Sequence, residues 1–186
     1  FFHLCCFLFF VVFFVFFWHF LSMCFCWELV GLRSYLLISF FSTKQTAAKA
    51  GNKAFILNRI GDFGFLIGLM LTLNTFGTFN YDKVFSKVLE GNIDNLTVIV
   101  ICFIIGAFGK SAQFPLFSCL PDAMEGPTPA SALIHEATMV TAGVFMLVRI
   151  SPILQVSETG KVIVIVTGFV RAVIAACSAL TQYEIN

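Results

Sequence analysis

Long runs of apolar residues constrain the fold of this chain more than any other feature. The first run covers residues 1–20 and is interrupted only by His3 and His19. A helix of this length, rising about 1.5 Å per residue, reaches across the roughly 30 Å hydrocarbon core of a membrane. Because only 11% of the residues are charged and the mean hydropathy is +0.96, the chain is predicted to be an integral membrane protein.

Further apolar runs follow, and together they predict an all-α bundle of about six transmembrane helices. The predicted spans cover residues 1–20, 21–41, 53–76, 96–114, 128–150 and 161–183. The polar stretch 78–95 is interpreted as a solvated connector with one amphipathic turn around Val84, Val88 and Leu89. A net charge of +1 and the lack of a basic patch argue against a nucleic-acid partner.

The densest group of basic residues follows the second predicted span. Lys44, Lys49 and Lys53 lie close together, and Arg59 comes one or two helical turns later. Membrane proteins concentrate Lys and Arg on the cytoplasmic or matrix side of the membrane. The basic group is therefore predicted to face that side, which also predicts the direction of every later span.

Three ionisable residues inside predicted spans form the candidate site, and they are Glu28, Lys110 and His135. An ionisable side chain in the membrane interior costs about 2.5–3.5 kcal/mol or more, so such residues usually serve an ion pathway. Lys110 lies where Pro115 is expected to break the fourth helix, and broken helices at membrane depth lie within protein or line a wet cavity. Two alternatives remain open: Glu28 could be a helix-end glutamate at the interface, and His135 a core histidine bonded to a backbone carbonyl.

The third and sixth spans carry further charges. Arg59 and Asp62 are three residues apart and can pair on one helical face, although this pair could also merely anchor a helix end. Arg171 lies in the middle of the sixth span and is expected to face the bundle interior. The cysteines show no Cys-x-x-Cys spacing, so no metal site is predicted. The small residues that would let another helix approach closely are Gly61, Gly64 and Gly68.

Several motifs resemble one protein family in unbroken order. They are WELVG (27–31), SYLLISFF (34–41), KAFILNRIGDFGF (53–65), GKSAQFPL (109–116), LPDAMEGPTPASALIHEATMVTAGVFMLVR (120–149) and ALTQYEI (179–185). They resemble the subunit 5 family of respiratory complex I. That family comprises the antiporter-like, proton-translocating chain of NADH–ubiquinone oxidoreductase and is related to Mrp-type cation/proton antiporter subunits. The resemblance covers essentially the whole chain.

The resemblance implies a fold and a set of roles. Family members are built from two inverted five-helix repeats, each with a discontinuous helix. Glu28, Lys110 and His135 match the family's buried glutamate, broken-helix lysine and following histidine, which belong to a hydrated proton path. Arg59 and Asp62 match its NRIGD signature, whose acid modulates that path. Residues 1–186 then correspond to the first repeat plus the start of the second.

The sequence departs from the family pattern at three places. Phe117 and Cys119 stand where the family commonly has His and Trp, so one candidate proton carrier is missing. Glu136 replaces a small residue beside the histidine and offers an additional partner charge. The chain stops at TQYEIN, where the family continues, so a separate chain is expected to carry the rest of the subunit, or else a longer single polypeptide is present.

The resemblance also implies a mechanism and its setting. Glu28 would hold Lys110 protonated until a neighbouring subunit weakens the pair, and His135 would pass the proton onward. No redox cofactor is expected in this chain, since FMN, iron–sulfur clusters and ubiquinone belong elsewhere in the complex. The expected partners are other membrane-arm subunits and lipids, in the mitochondrial inner membrane or alternatively a bacterial or plastid membrane. An Mrp-type antiporter subunit and a split structural remnant that conducts nothing remain the alternative functions.

Overall fold

The computed structural model describes residues 2–41, 44–91, 95–113, 116 and 138–180, and its regular elements are helices. In chain order they are α1 (Phe2–Phe16), α2 (Phe20–Ile38), α3 (Gln45–Phe76), α4 (Tyr81–Glu90), α5 (Leu96–Ser111), α6 (Met139–Arg149), α7 (Ser151–Val156) and α8 (Glu158–Ala179). A short 3-10 helix, Ser39–Phe41, continues α2. The predicted all-α class is confirmed.

Within these described ranges, α2, α3 and α8 are long and apolar enough to cross a membrane. The helices α1, α5 and α6 are also apolar but contain 15, 16 and 11 residues, and they lie in the first, fourth and fifth predicted spans. Residues 128–137 of the fifth predicted span lie outside the described part of the chain. Because α3 begins at Gln45 rather than at residue 53, Lys49 lies in the helix together with Lys53 and not in a loop before it.

The stretch predicted as a polar connector contains the helix α4, which is longer than the single turn expected. Asn80 caps its start, since the Asn80 side chain accepts a hydrogen bond from the backbone N–H of Asp82 at 3.3 Å. Val84 and Val88 are buried, whereas Leu89 is 76% exposed. Burial at a spacing of four residues gives α4 one apolar face, and this face packs the helix onto the bundle.

Helices α3 and α5 cross so closely that their backbones touch. A Cβ atom added to Gly61 would lie 2.7 Å from the Cα of Gly109, and one added to Gly109 would lie 2.8 Å from the Cα of Gly61. A Cβ atom on Gly64 would lie 2.7 Å from Cγ2 of Ile105. The close approach predicted from Gly61, Gly64 and Gly68 is confirmed, and α5 is the helix that approaches.

An aromatic core joins α2, α3 and α5 beside this crossing. The rings of Trp27 and Phe65 stack with centroids 5.4 Å apart, and those of Phe20 and Phe103 stack at 5.6 Å. Phe65 also contacts Phe103, with a centroid distance of 5.5 Å. These rings are almost fully buried, so the core fixes the rotation of α2 relative to the pair formed by α3 and α5.

The last helices cover the opposite side of α5. A Cβ atom on Gly143 of α6 would lie 2.8 Å from the carbonyl oxygen of Ala107, so α6 packs directly on α5. The side chain of Ser157 caps α8 by accepting a hydrogen bond from the N–H of Gly160 at 3.2 Å. Among the described residues of α8 only Gly160 is buried, so this helix lies at the edge of the bundle.

Candidate functional site

Lys110 lies in the last turn of α5 and is enclosed by protein. Its side chain is 1% exposed, and that of Asp62 on α3 is 4% exposed. The Lys110 Nζ lies 3.4 Å from Oδ1 of Asp62, which makes a buried ion pair. The partial negative charge at the C-terminal end of α5 also favours a cation at this position.

Trp27 on α2 contacts both members of this ion pair. Its Nε1–H donates a hydrogen bond of 2.8 Å to Oδ1 of Asp62, the same oxygen that faces Lys110. The Lys110 Nζ lies 5.6 Å from the centroid of the indole ring, within the range of a cation–π interaction. Trp27 therefore stabilises the carboxylate through its edge and the ammonium through its face.

Glu28 and Arg59 form a second ion pair on the outer side of the same helices. Their side chains are 25% and 45% exposed, and the Arg59 guanidinium also lies over the ring of Phe55 at 4.9 Å. The sequence predicted Arg59 with Asp62 and Glu28 with Lys110. The structure instead pairs Arg59 with Glu28 and Lys110 with Asp62, which corrects the predicted pairing.

The rotation of α2 and α3 explains this exchange of partners. Asp62 follows Gly61 in the stripe of α3 that faces α5, so it is only 3% exposed. Arg59 lies off that stripe and reaches across to α2. On α2, Trp27 occupies the buried direction, which turns the next residue, Glu28, about 100° away from the core.

Some of the buried polar atoms that lack a hydrogen-bond partner among the described residues lie on α3, on α5 and just after α5. The Lys110 Nζ makes no hydrogen bond with any described residue, and neither do Oδ1 of Asn58 and Oε1 of Gln113, although all three atoms are buried. Buried polar atoms are normally satisfied by protein or by ordered water. A small cavity beside the Lys110 side chain presents only apolar atoms, so it offers a water molecule no hydrogen-bond partner. It is lined by Val11, Phe14, Trp27, Val30, Lys110 and Ala142.

The sixth span brings a further cation to the end of α5. The guanidinium of Arg171 on α8 donates a hydrogen bond to the backbone carbonyl oxygen of Ser111, the residue after Lys110. Arg171 was predicted to face the bundle interior, and this bond supplies a partner that the sequence did not reveal. The cation therefore binds one of the carbonyl groups left open at the C-terminus of α5.

The predicted helix break begins as expected. The helix α5 ends at Ser111, and Ala112 has the left-handed backbone conformation that terminates helices, with φ +47°. The continuation of this segment through Pro115 lies outside the described residues. So do the other predicted members and departures of the site, which are Phe117, Cys119, His135 and Glu136.

Sequence reasoning missed the role of Trp27. A buried indole N–H needs an acceptor, and few side-chain acceptors exist in an apolar span. Asp62 is one of them, so a Trp–Asp contact between neighbouring helices was a hypothesis that the sequence allowed. In the ranges that the structure covers, no three His, Cys, Asp or Glu side chains are grouped closely enough to bind a metal ion.

Comparison with known proteins matches this charged bundle to a family. The family model described as NADH:quinone oxidoreductase/Mrp antiporter, transmembrane, matches residues 18–186. The chain belongs to this family. The match includes Glu28, Arg59, Asp62 and Lys110, so both ion pairs fall within the region that is characteristic of NADH:quinone oxidoreductase/Mrp antiporter proteins.

Named relatives in this family confirm the resemblance to subunit 5. The chain is 49% identical over 160 residues to NADH-ubiquinone oxidoreductase chain 5 of Rhizopus stolonifer, covering 86% of this chain and 24% of the relative. It is 48% identical over 160 residues to NADH-quinone oxidoreductase subunit L of Mycobacterium tuberculosis, covering 86% of this chain and 25% of the relative. The chain thus spans about a quarter of the length of these relatives.

A solved structure shares the fold. The Mrp complex from Dietzia sp. DQ12-45-1b contains a chain that superposes with a TM-score of 0.83 at 28% sequence identity, covering 90% of this chain and 18% of that chain. The helical arrangement described above is therefore shared with part of a chain of that complex.

Proposed function

We propose that this chain is part of a proton-translocating, antiporter-like membrane-arm subunit of a respiratory NADH:quinone oxidoreductase. The observation that carries the proposal is the Lys110 ammonium, which is enclosed by protein and neutralised by the carboxylate of Asp62. Unit charges at this distance attract by about 4–5 kcal/mol at an effective dielectric constant of about 20. Moving the carboxylate away therefore changes the free energy of protonating Lys110 enough to drive proton release.

The four charges of the site provide such a movement. Asp62 lies three residues from Arg59 on α3, a spacing at which the two side chains can pair. In the proposed cycle, Asp62 turns from Lys110 to Arg59, which leaves the ammonium without its carboxylate partner, and Lys110 releases its proton. The return of Asp62, or the approach of Glu28 from its pair with Arg59, then holds Lys110 protonated again. His135 accepts the proton that Lys110 releases and passes it onward.

Replacement of Lys110 by Met tests the proposal directly. We expect NADH-driven proton translocation by the reconstituted complex to fall by about 10²-fold, because a group that transfers protons is lost. Lys161→Met is the matched control, since Lys161 lies on α8 in an exposed pair with Glu158. Translocation at the wild-type rate in Lys110→Met would reject the proposed function and would support a structural remnant that conducts nothing.

An Mrp-type cation/proton antiporter subunit is the second candidate, and the structural similarity to the Dietzia Mrp complex favours it. Both candidates use the same residues and differ in the energy source. Vesicles containing the purified complex distinguish them, because an antiporter exchanges sodium for protons without NADH. A proton gradient that forms only on NADH oxidation supports the first candidate.

The proposed partners, redox centres and location of the chain rest on the same relatives. Other membrane-arm subunits and lipids are the proposed partners. FMN, iron–sulfur clusters and ubiquinone are assigned to other subunits, and this chain is proposed to hold no redox centre. The mitochondrial inner membrane is the proposed location, supported by the fungal relative, while chloroplast and bacterial relatives keep other energy-converting membranes as alternatives.

A further inference from the structure

Gly31 of α2 faces the ammonium group of Lys110. A Cβ atom built on Gly31 would collide with Lys110 Nζ and would lie 3.7 Å from Oδ2 of Asp62. The same Cβ atom would lie 3.9 Å from Cε of Lys110, which is an ordinary van der Waals distance. The space that a side chain would occupy at position 31 is therefore filled by the charged nitrogen alone.

The backbone around Gly31 is fixed by its neighbours. Trp27 lies four residues earlier on the same face of α2 and is bonded to Asp62 at 2.8 Å. Ser34 donates a hydrogen bond of 2.8 Å from its hydroxyl to the carbonyl oxygen of Gly31. Because Trp27 and Ser34 are both 1% exposed, α2 has little freedom to rotate Gly31 away from the ion pair.

We infer that Gly31 is a positioning residue, which holds the Lys110 ammonium against Asp62 by leaving open the space that a side chain would fill. Glycine in the interior of a helix is unfavourable relative to alanine, so its presence in the middle of α2 needs a specific reason. The inference rests on the proposed function, since it assigns Gly31 a part in proton translocation by Lys110.

At each glycine, the atom that an added methyl group would contact predicts whether the alanine variant keeps its fold. At Gly31 the new methyl group meets the free end of a flexible side chain, which can swing aside without moving a helix. The Gly31→Ala variant is therefore expected to retain its fold while the ammonium leaves Asp62. At Gly168 of α8 no described atom lies within 4 Å of an added Cβ, which makes Gly168→Ala the matched control.

The experiment compares Gly31→Ala, Lys110→Met, the double variant and Gly168→Ala in the assembled membrane complex. Thermal stability and NADH-driven proton translocation are measured for each. We expect Gly31→Ala to lower translocation by about tenfold, because displacing a reacting group by about 1 Å can cost up to 10²-fold in rate. Gly168→Ala is expected to match the wild type in both measurements.

The double variant separates positioning from a structural role. Methionine lacks the Nζ of lysine and ends at the carbon equivalent to Cε, so the substitution Lys110→Met leaves room for a methyl group on residue 31. We expect the double variant to melt at the temperature of Lys110→Met or above it, whereas Gly31→Ala alone melts below the wild type. If Gly31→Ala does not assemble, recovery of assembly in the double variant supports the inference and continued failure overturns it.

Two further results would overturn the inference. One is wild-type translocation in Gly31→Ala, and the other is an equal drop in melting temperature when Gly31→Ala is added to the wild type and to Lys110→Met. The proposed function is judged separately, by the translocation rate of Lys110→Met alone. If that rate is normal, the proposed function fails. The melting temperatures of the single and double variants still test whether Gly31 positions the ammonium, because they do not depend on translocation.

Discussion

One oxygen of Asp62 serves two neighbours of different chemical kinds. Its Oδ1 accepts the indole N–H of Trp27 at 2.8 Å and faces the Lys110 Nζ at 3.4 Å. The shorter contact goes to the neutral donor, so the carboxylate is anchored to α2 independently of its cation. A turn of Asp62 from Lys110 toward Arg59 therefore has to break or bend the hydrogen bond to Trp27 first.

The Asp62→Asn variant removes the negative charge and keeps most of the shape of the side chain. We expect the complex to lose about 3–5 kcal/mol of stability, because removing one partner leaves a buried charge uncompensated. Thermal unfolding of the purified complex measures this loss. Adding Lys110→Met to Asp62→Asn removes the unpaired cation and should restore most of the stability, and failure to do so would contradict the ion pair.

The Trp27→Phe variant keeps an aromatic ring below the ammonium and removes the hydrogen bond to Asp62. A hydrogen bond to a charged group contributes about 1.5–3 kcal/mol, so we expect a loss of that size in thermal unfolding. Proton translocation should fall as well, since the anchor of the carboxylate is gone. Trp18→Phe is the matched control because Trp18 is 66% exposed, and equal effects of the two substitutions would argue against the anchoring role.

At the scale of helices, the crossing of α3 and α5 sets the distance between Asp62 and Lys110. Each of these residues directly follows a glycine of the crossing, Gly61 on α3 and Gly109 on α5. The ion-pair geometry therefore depends on a contact between two backbones, which no side-chain rearrangement can relax.

The Gly61→Ala variant should separate these helices. The added methyl group meets backbone atoms of Gly109, and overpacking of this kind costs about 1–3 kcal/mol. We expect a lower melting temperature together with lower proton translocation, while Gly168→Ala in the open surface of α8 leaves both unchanged. Normal melting of Gly61→Ala would show that the two helices can move apart at little cost.

The sequence predicted the helices more reliably than it predicted which charged side chains form ion pairs between them. Apolar runs and small-residue spacing predicted the close approach at Gly61, Gly64 and Gly68, because both signals are local along one chain segment. The partner of Asp62 depends on how far α3 is rotated toward α5, and the aromatic rings of three helices set that rotation together. A spacing rule for a single helix therefore predicted Arg59 as the partner of Asp62 and could not predict Lys110, which lies on another helix.

At the scale of the whole molecule, α3 is longer than the membrane requires. Its 32 residues extend about 48 Å, against a hydrocarbon core of roughly 30 Å. The excess at its start carries Lys49 and Lys53, and their position on the matrix or cytoplasmic side stays a prediction. The basic residues alone predict this orientation, whereas the extent of α3 required the structure, because residues 45–52 mix polar residues with alanine and so do not continue the apolar run.

Cysteine labelling tests the orientation. Lys49 and Asp82 are exposed and lie near opposite ends of α3, so Lys49→Cys and Asp82→Cys should be modified from opposite sides of the membrane. We expect a membrane-impermeant maleimide to reach position 49 from the matrix or cytoplasmic side, with the native cysteines of the unsubstituted chain as background. Labelling of both positions from one side would contradict a crossing by α3.

The contact between Gly61 and Gly109 has a mechanical consequence. Because Gly61 and Gly109 leave no room for a side chain between α3 and α5, sliding one helix along the other would bring larger residues into the contact and force the helices apart. In the proposed function, a conformational signal to Lys110 is therefore expected to travel as a turn of side chains about their own bonds or as a tilt of α2. The time such a signal takes is then that of rotamer changes and small helix tilts, rather than that of a sliding bundle.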